Sequence, residues 1–305
     1  MADESDPFEA TRMTLGEHLA ELRSRLIKGL LAVLVAFVAA WCFRGDLGRV
    51  IARPYMQAMG MLETALVAQA EQLLGAHPDW PRTRYFESDD PADKRLREFR
   101  KQMQAIGPGE MFLYPLKICL YFALFFGAPV LLWQMWQFVA AGLYPREKRA
   151  VRRYFPLSLV MFVGGVLFGY CFLVPYGIYF LNNEADLEVA LPTITLEYYL
   201  SFLRTLCLAL GVVFQLPLLM SFLGGAGLVQ PATMAKYRGH FVIAAFVIAA
   251  VITPGADPIS QLLVAVPLVV LYEIGIAGAR LAARRRLAGL APAGPPGAGS
   301  GERAP

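Results

Sequence analysis

Six apolar runs, at about 27–43, 115–140, 155–178, 199–223, 238–253 and 259–279, dominate this chain of 305 residues. A helix rises about 1.5 Å per residue, so about 20 apolar residues cover a hydrocarbon layer of about 30 Å. The first four runs reach that length, the first with help from its flanks. With 57% hydrophobic residues, 17% charged residues and a mean hydropathy of +0.48, the composition excludes an ordinary soluble domain. The expected fold class is an all-α polytopic membrane protein of six tilted transmembrane helices. The 26 mostly polar residues before the first run, and the lack of an A-x-A-like site after it, speak against a cleavable leader.

The last two runs are expected to be short helices. Tyr237–Thr253 spans about 25 Å as a helix and its strictly apolar part, Phe241–Ile252, about 18 Å. Such a pair fits a buried soluble hairpin or a membrane hairpin, and the neighbouring spans favour the membrane. The bilayer then thins locally or the flanking side chains snorkel.

Basic residues orient the bundle. Arg12, Arg23, Arg25 and Lys28 precede the first run, and Arg146, Lys148, Arg149, Arg152 and Arg153 lie between the second and third. Lys236 and Arg238 precede the fifth, and Arg280, Arg284, Arg285 and Arg286 follow the sixth. The opposite short loops, about 179–198 and 254–258, contain no Lys or Arg. Positive loops stay inside, so both termini are expected on the cytoplasmic side of the membrane. Three regions follow: a cytoplasmic segment 1–26, a membrane domain 27–279, and a tail 280–305. The Pro/Gly/Ala-rich end of that tail, from Ala291, is expected to be disordered. The first outer loop, about 44–114, is long enough for a small subdomain. Met61–Leu74 has helical apolar spacing, and Asp89–Lys101 is dense in mixed charge.

Prolines 129, 156, 175, 217 and 267 fall inside the long runs. Each removes an i→i−4 hydrogen bond, so bent helices forming a curved wall are expected unless neighbours absorb the loss. Cys42, Cys119, Cys171 and Cys207 stand singly and read as small buried apolar residues.

The middles of the spans are almost free of charge, which excludes much chemistry. Lys117, Arg204 and Glu273 lie near span ends, where side chains can snorkel. Gln215 is the strongly polar group near mid-depth, and its amide needs a partner on another helix or on its own backbone beside Pro217. No H-E-x-x-H, G-x-S-x-G, intramembrane Asp pair or Gly-rich phosphate loop occurs. Zinc and serine or aspartyl proteases, nucleotide hydrolysis, metal binding and cofactor binding are therefore unsupported. The modest net charge of +4 argues against a nucleic-acid partner. A polytopic solute channel or secondary transporter remains the alternative, although the mid-span acids of a proton relay are missing.

The richest constellation precedes the first run. In Gly16–Leu26, GEHLAELRSRL, residues Leu19, Leu22 and Leu26 join Leu15 on one helical face suited to a membrane surface. Glu17 and Glu21 repel at i,i+4, and Arg25 offsets this from one turn beyond Glu21. Glu147, in LYPREKR, lies at the same surface between the second and third runs. Carboxylates flanked by apolar residues can each take a guanidinium through bidentate bonds. Spacing alone leaves open whether that guanidinium is internal or arrives from another chain.

HLAELRSRL at 18–26, PVLLWQMWQFVAAGLYPREKR at 129–149, FGYCFLVP at 168–175, FQLP at 214–217, TPGADPISQ at 253–261 and LYEIG at 271–275 together resemble the TatC family. TatC is the multispanning receptor subunit of the twin-arginine protein translocase. The resemblance covers about 15–54 and 108–280. It implies a cupped-hand fold of six tilted helices, the last two short, and a receptor for folded cargo carrying twin-arginine signal peptides. It implies that Glu21 and Glu147 meet the paired arginines, with His18, Leu22 and Arg23 in the N-terminal motif and Phe138 and Tyr144 before the second glutamate. Pro54 matches a functionally important proline, and Gln215 matches a polar site facing the concave groove. Asp257 and Glu273, in the last two motifs, join them as candidate positions for partner contact or translocation. The implied partners are single-span TatA- and TatB-type subunits in an oligomeric complex driven by the proton gradient. Ala141 in place of a usual proline, YRGH at 237–240, and an insertion within about 60–105 depart from the family pattern.

Overall fold

The computed structural model describes residues 15–81, 103–141, 148–183, 194–253 and 258–290. Within them the chain is nearly all helix. Helix α1, Leu15–Cys42, runs without interruption from the amphipathic segment through the first apolar run. A break at Phe43 leads into α2, Arg44–Ala76. The expected helix at Met61–Leu74 is thus only the second half of a 33-residue element. Its length follows from one continuous apolar face: Ile51, Tyr55, Ala58, Leu62, Leu66 and Ala70, three or four residues apart, are all buried. Residues 89–101, expected to be charged and solvated, lie outside the described residues, as does the tail from Ala291.

Helix α3 is Glu110–Ala141, with the Glu110 carboxylate accepting the Ile106 and Gly107 backbone N–H groups at its start. An acid there also suits the positive end of the helix dipole. Helix α4, Lys148–Phe168, passes through a π-helical turn, Gly169–Leu173, into α5, Val174–Asn183. Helix α6, Leu196–Val213, begins on a Thr195 side-chain cap and is followed by α7, Leu216–Ala226. Gly227, at φ 74°, ends α7 in the left-handed conformation that glycine adopts without a Cβ clash. A short α8, Pro231–Lys236, turns the chain into the hairpin of α9, Arg238–Ile252, and α10, Pro258–Leu290.

Proline acts at two of the five expected bends. The π turn directly precedes Pro175, and the break between α6 and α7 directly precedes Pro217. Helices α3, α4 and α10 continue through Pro129, Pro156 and Pro267. There the helix type does not change, in keeping with the tolerance of membrane helices for proline.

Among the described residues, five stretches are long and apolar enough to cross a membrane: Leu19–Cys42, Glu110–Ala141, Tyr154–Asn183, Leu196–Ala226 and Gln261–Arg286. Helix α9 has 15 residues, matching the expected short span. Helix α10 does not match that expectation, because its 33 residues continue past the apolar run through Arg280–Arg286. Ala, Leu and Arg, all strong helix formers, fill that extension.

Small residues set the contacts between spans. Gly29 faces Leu131 and Gly127 faces Val33 where α1 meets α3. Gly165 meets the Leu210 carbonyl where α4 meets α6, and Gly224 meets Ala279 where α7 meets α10. Without a hydrophobic drive between helices in lipid, such close backbone approach supplies the packing energy. The largest buried cluster gathers Tyr55, Leu62, Ile118, Val174, Tyr199 and Leu206 from α2, α3, α5 and α6. Two cysteines depart from expectation: Cys119 and Cys207 are buried, but Cys42 and Cys171 are exposed on the apolar outside.

Polar residues mark two levels along the bundle. Arg25 on α1 bonds Gln134 on α3 at one end; at the other, α1 ends at Cys42, just before Arg44 opens α2, and Lys117 stands on α3. At about 1.5 Å per residue, Arg25 to Cys42 and Lys117 to Gln134 each come to about 26 Å, close to a hydrocarbon thickness.

Candidate functional site

At the Arg25 level, helical spacing brings Glu21 and Arg25 together. Arg25 Nε and Nη2 donate to Glu21 Oε1 at 2.8 and 2.5 Å, and Arg25 Nη1 reaches Gln134 Oε1 at 3.3 Å. The two side chains keep 29% and 24% of their surface, so the pair is only partly solvated. Both strong bonds fall on one carboxylate oxygen. Glu21 Oε2 carries no bond among the described residues.

Leu22 and Arg23 are exposed beside this pair. Phe138 is half-buried on α3, one turn beyond Gln134, and so lies on the same face. His18 falls within α1 by backbone, but its side chain lies outside what the structure describes, as do Tyr144, Glu147 and Asp257. Glu147 directly precedes Lys148, the first residue of α4. Six residues on, Tyr154 stacks on Trp136 of α3 with ring centroids 6.1 Å apart. The helices that flank Glu147 in the chain, α3 and α4, thus pack together through Trp136 and Tyr154 at the end that carries Glu21. Trp136, packed between Tyr154 and Phe222, has a buried indole N–H with no acceptor among the described residues. No spacing rule marks it in the sequence.

Gln215 lies at the α6–α7 break and finds its partner on another helix. Its Oε1 accepts from the Ser158 hydroxyl at 2.6 Å, and its Nε2 donates to the Ser158 carbonyl at 3.1 Å. A longer contact of 3.5 Å reaches Gly211 on its own helix. Ser158 is fully buried in α4. The amide thus closes a polar join across α4 and α6 where Pro217 interrupts the backbone ladder. Ser158 has no sequence signal of its own.

Pro54 is buried inside α2, not in a loop. Lacking an N–H, it cannot bond the Val50 carbonyl one turn back. The Tyr170 hydroxyl donates to that carbonyl instead, and the Tyr199 hydroxyl donates to the next one, Ile51. Tyr55 packs edge-on against Tyr199, and burial pushes its phenol pKa up to about 12. Tyr170 thereby ties the carbonyl freed by Pro54 to the π turn after α4, and Tyr199 fastens the next carbonyl to α6.

Glu273 is exposed midway along α10, further from the helix ends than its place in the apolar run suggested. Its carboxylate bonds Arg238 at 2.8 Å, at the start of α9. The neighbouring Tyr272 donates to the Met234 carbonyl of α8 at 2.8 Å and stacks on Phe241. This cluster holds the base of the final hairpin.

Comparison with known proteins converges on one group. The family model "Sec-independent protein translocase protein (TatC)" matches residues 17–267. A TatC of Desulforapulum autotrophicum is 34% identical over 285 residues, covering 93% of this chain and 88% of that protein. One from Aquifex aeolicus is 30% identical over 278 residues, covering 90% and 98% respectively. The crystal structure described as "Twin Arginine Translocase Receptor- TatC" superposes with a TM-score of 0.64 at 30% identity, covering 87% of this chain and 99% of that one.

Proposed function

Since this chain belongs to the TatC family of Sec-independent protein translocase proteins, we propose that it is the subunit that reads twin-arginine signal peptides of folded cargo at the cytoplasmic face of the membrane. As a family member it is a multi-pass inner-membrane component of a protein translocase and not an enzyme. In this reading both termini are cytoplasmic, with the basic segments around Arg25, Arg149 and Arg284 on that side. Glu21 and Glu147 each receive one arginine of the visiting peptide. His18, Leu22, Arg23, Phe138 and Tyr144 shape the surface around them. TatA- and TatB-type subunits then dock on the membrane faces, with Pro54, Gln215, Asp257 and Glu273 supporting partner contact and translocation.

The observation that carries this reading is the geometry at Glu21. Its partly desolvated carboxylate already grips a guanidinium, that of Arg25, through two nitrogens, and its other oxygen has no bond among the described residues. An arginine has the planar fork for that arrangement and a lysine does not. The surrounding surface is basic, so long-range attraction of an arginine pair is weak and short-range geometry carries the discrimination.

The test is complementation of a translocase-deficient strain with this chain, scored by export of a folded reporter. Export behind an RR signal and its loss behind a KK signal support the proposal. Equal export of both, or none from either in a strain with the matching single-span subunits, overturns it.

A further inference from the structure

We propose that the half-enclosed cavity between α3, α4 and α6 holds one acyl chain of an anionic phospholipid, with Arg204 gripping the phosphate. The cavity measures about 230 Å³, is roofed by Val50 and Ile51 of α2, and is walled by Phe125, Val166 and Leu203. Arg204 is the one charged side chain among the described residues that line it. An apolar cavity offers water no hydrogen-bond partners and stays dry, whereas an alkyl chain fills it without leaving a polar group unmet.

The charge at its mouth selects the headgroup. Arg204 is exposed, with its guanidinium over the Tyr121 ring at 5.9 Å and 3.4 Å from the Ser201 hydroxyl. Glu197, two turns back on the same helix, is bonded to Lys117 instead. Arg204 therefore has no carboxylate partner among the described residues, and its planar fork is suited to two phosphate oxygens.

Depth agrees with this assignment. Phe222 packs on Trp136 and Tyr154 near the Arg25 end, and Arg204 lies 18 residues before it on the same span. With the break at Phe214 and Gln215 shortening it, that interval is at most about 27 Å, which places Arg204 where hydrocarbon gives way to headgroups in the opposite leaflet. From there the cavity runs inward toward Phe125 and Phe162. Charge at the boundary and apolar space beneath it are in the order of a phospholipid's own parts.

Native mass spectrometry of the purified full chain with phosphatidylglycerol or phosphatidylcholine of identical acyl chains provides the test. A phosphatidylglycerol adduct should be retained about tenfold more, corresponding to about 1.4 kcal/mol. Arg204→Leu should bring the ratio near one, while Arg204→Lys should keep part of it. Phosphatidylglycerol with an acyl-chain photoprobe should label the segments bearing Phe125, Val166 and Leu203, and Val166→Phe, which fills the cavity, should reduce that labelling. Equal retention of both lipids by the unmodified chain, a preference that survives Arg204→Leu, or labelling confined to other segments would overturn the proposal. So would a photoreactive residue at Leu208 that captures another subunit's helix, and no lipid, in native membranes. Signal-peptide binding should be unchanged in Arg204→Leu, so this site and the Glu21 reading stand or fall separately.

Discussion

The Tyr170 hydroxyl bonds the Val50 carbonyl at 2.6 Å, the acceptor that Pro54, four residues on, cannot serve. Removing the hydroxyl strands a carbonyl away from water, at a cost of about 1–3 kcal/mol. Tyr170→Phe should therefore lower the thermal midpoint of the purified chain in detergent. In a Pro54→Ala background, the new backbone N–H meets the same carbonyl, so the loss from Tyr170→Phe should shrink. Strictly additive losses in that double-mutant cycle would contradict the linkage.

Glu21→Ala and Glu147→Ala should each weaken binding of a twin-arginine signal peptide by roughly 1–3 kcal/mol, the scale of a hydrogen bond to a charged group. Photo-crosslinking of a labelled signal peptide to the purified chain measures this. Undiminished labelling in the double variant would refute the assignment.

Arg25 competes internally for Glu21, because both of its strong bonds fall on the carboxylate a visitor needs. Arg25→Gln should raise affinity for the twin-arginine peptide by about two- to fivefold, a gain below 1 kcal/mol, as befits a partly exposed ion pair. Titration by fluorescence anisotropy reads the change. A weaker complex would mean that Arg25 orients the carboxylate and does not block it.

Gln215→Leu deprives the Ser158 hydroxyl of its acceptor and opens the join between α4 and α6. Export and recruitment of TatA-type subunits should fall while signal-peptide binding persists. Loss of signal-peptide crosslinking in this variant would show that the Gln215 join and the Glu21 surface are not separate in function.

At Gly165, a methyl group would lie 2.6 Å from the Leu210 carbonyl oxygen, a backbone atom that cannot swing aside. Gly165→Ala should force α4 and α6 apart, costing about 1–3 kcal/mol as overpacking does. Gly164→Ala, where a methyl meets nothing within 4 Å, is the control. Similar melting points for the two variants would argue against close packing at this crossing.

Apolar length and basic flanks made the helical membrane class legible, because burial in lipid leaves backbone groups few ways to be satisfied. The Glu21–Arg25 pair was legible through its i,i+4 spacing, although a receiving role for Glu21 came only from the family resemblance. The need of Gln215 for a partner was legible through its isolation among apolar residues. Ser158 and Tyr170 were not: a serine and a tyrosine are ordinary inside a membrane helix, and only the fold shows what they face. The second half of α10 was hidden for a different reason. Its arginines look like the end of a span, yet a helix stops where its backbone bonds stop, not where its hydropathy falls. The full extent of α2 escaped because its apolar face is narrow and begins directly beyond the first run.

Helix α1, which bears Glu21, packs chiefly against α3, while Leu26, Leu30, Leu34 and Val38 remain uncovered. Leu131 over Gly29, Val33 over Gly127 and the Arg25–Gln134 bond lock that seam. If Glu21 receives the signal peptide as proposed, the peptide would rest on a helix fixed along one side and bare along the other, where a neighbouring subunit in the bilayer could lie directly against it.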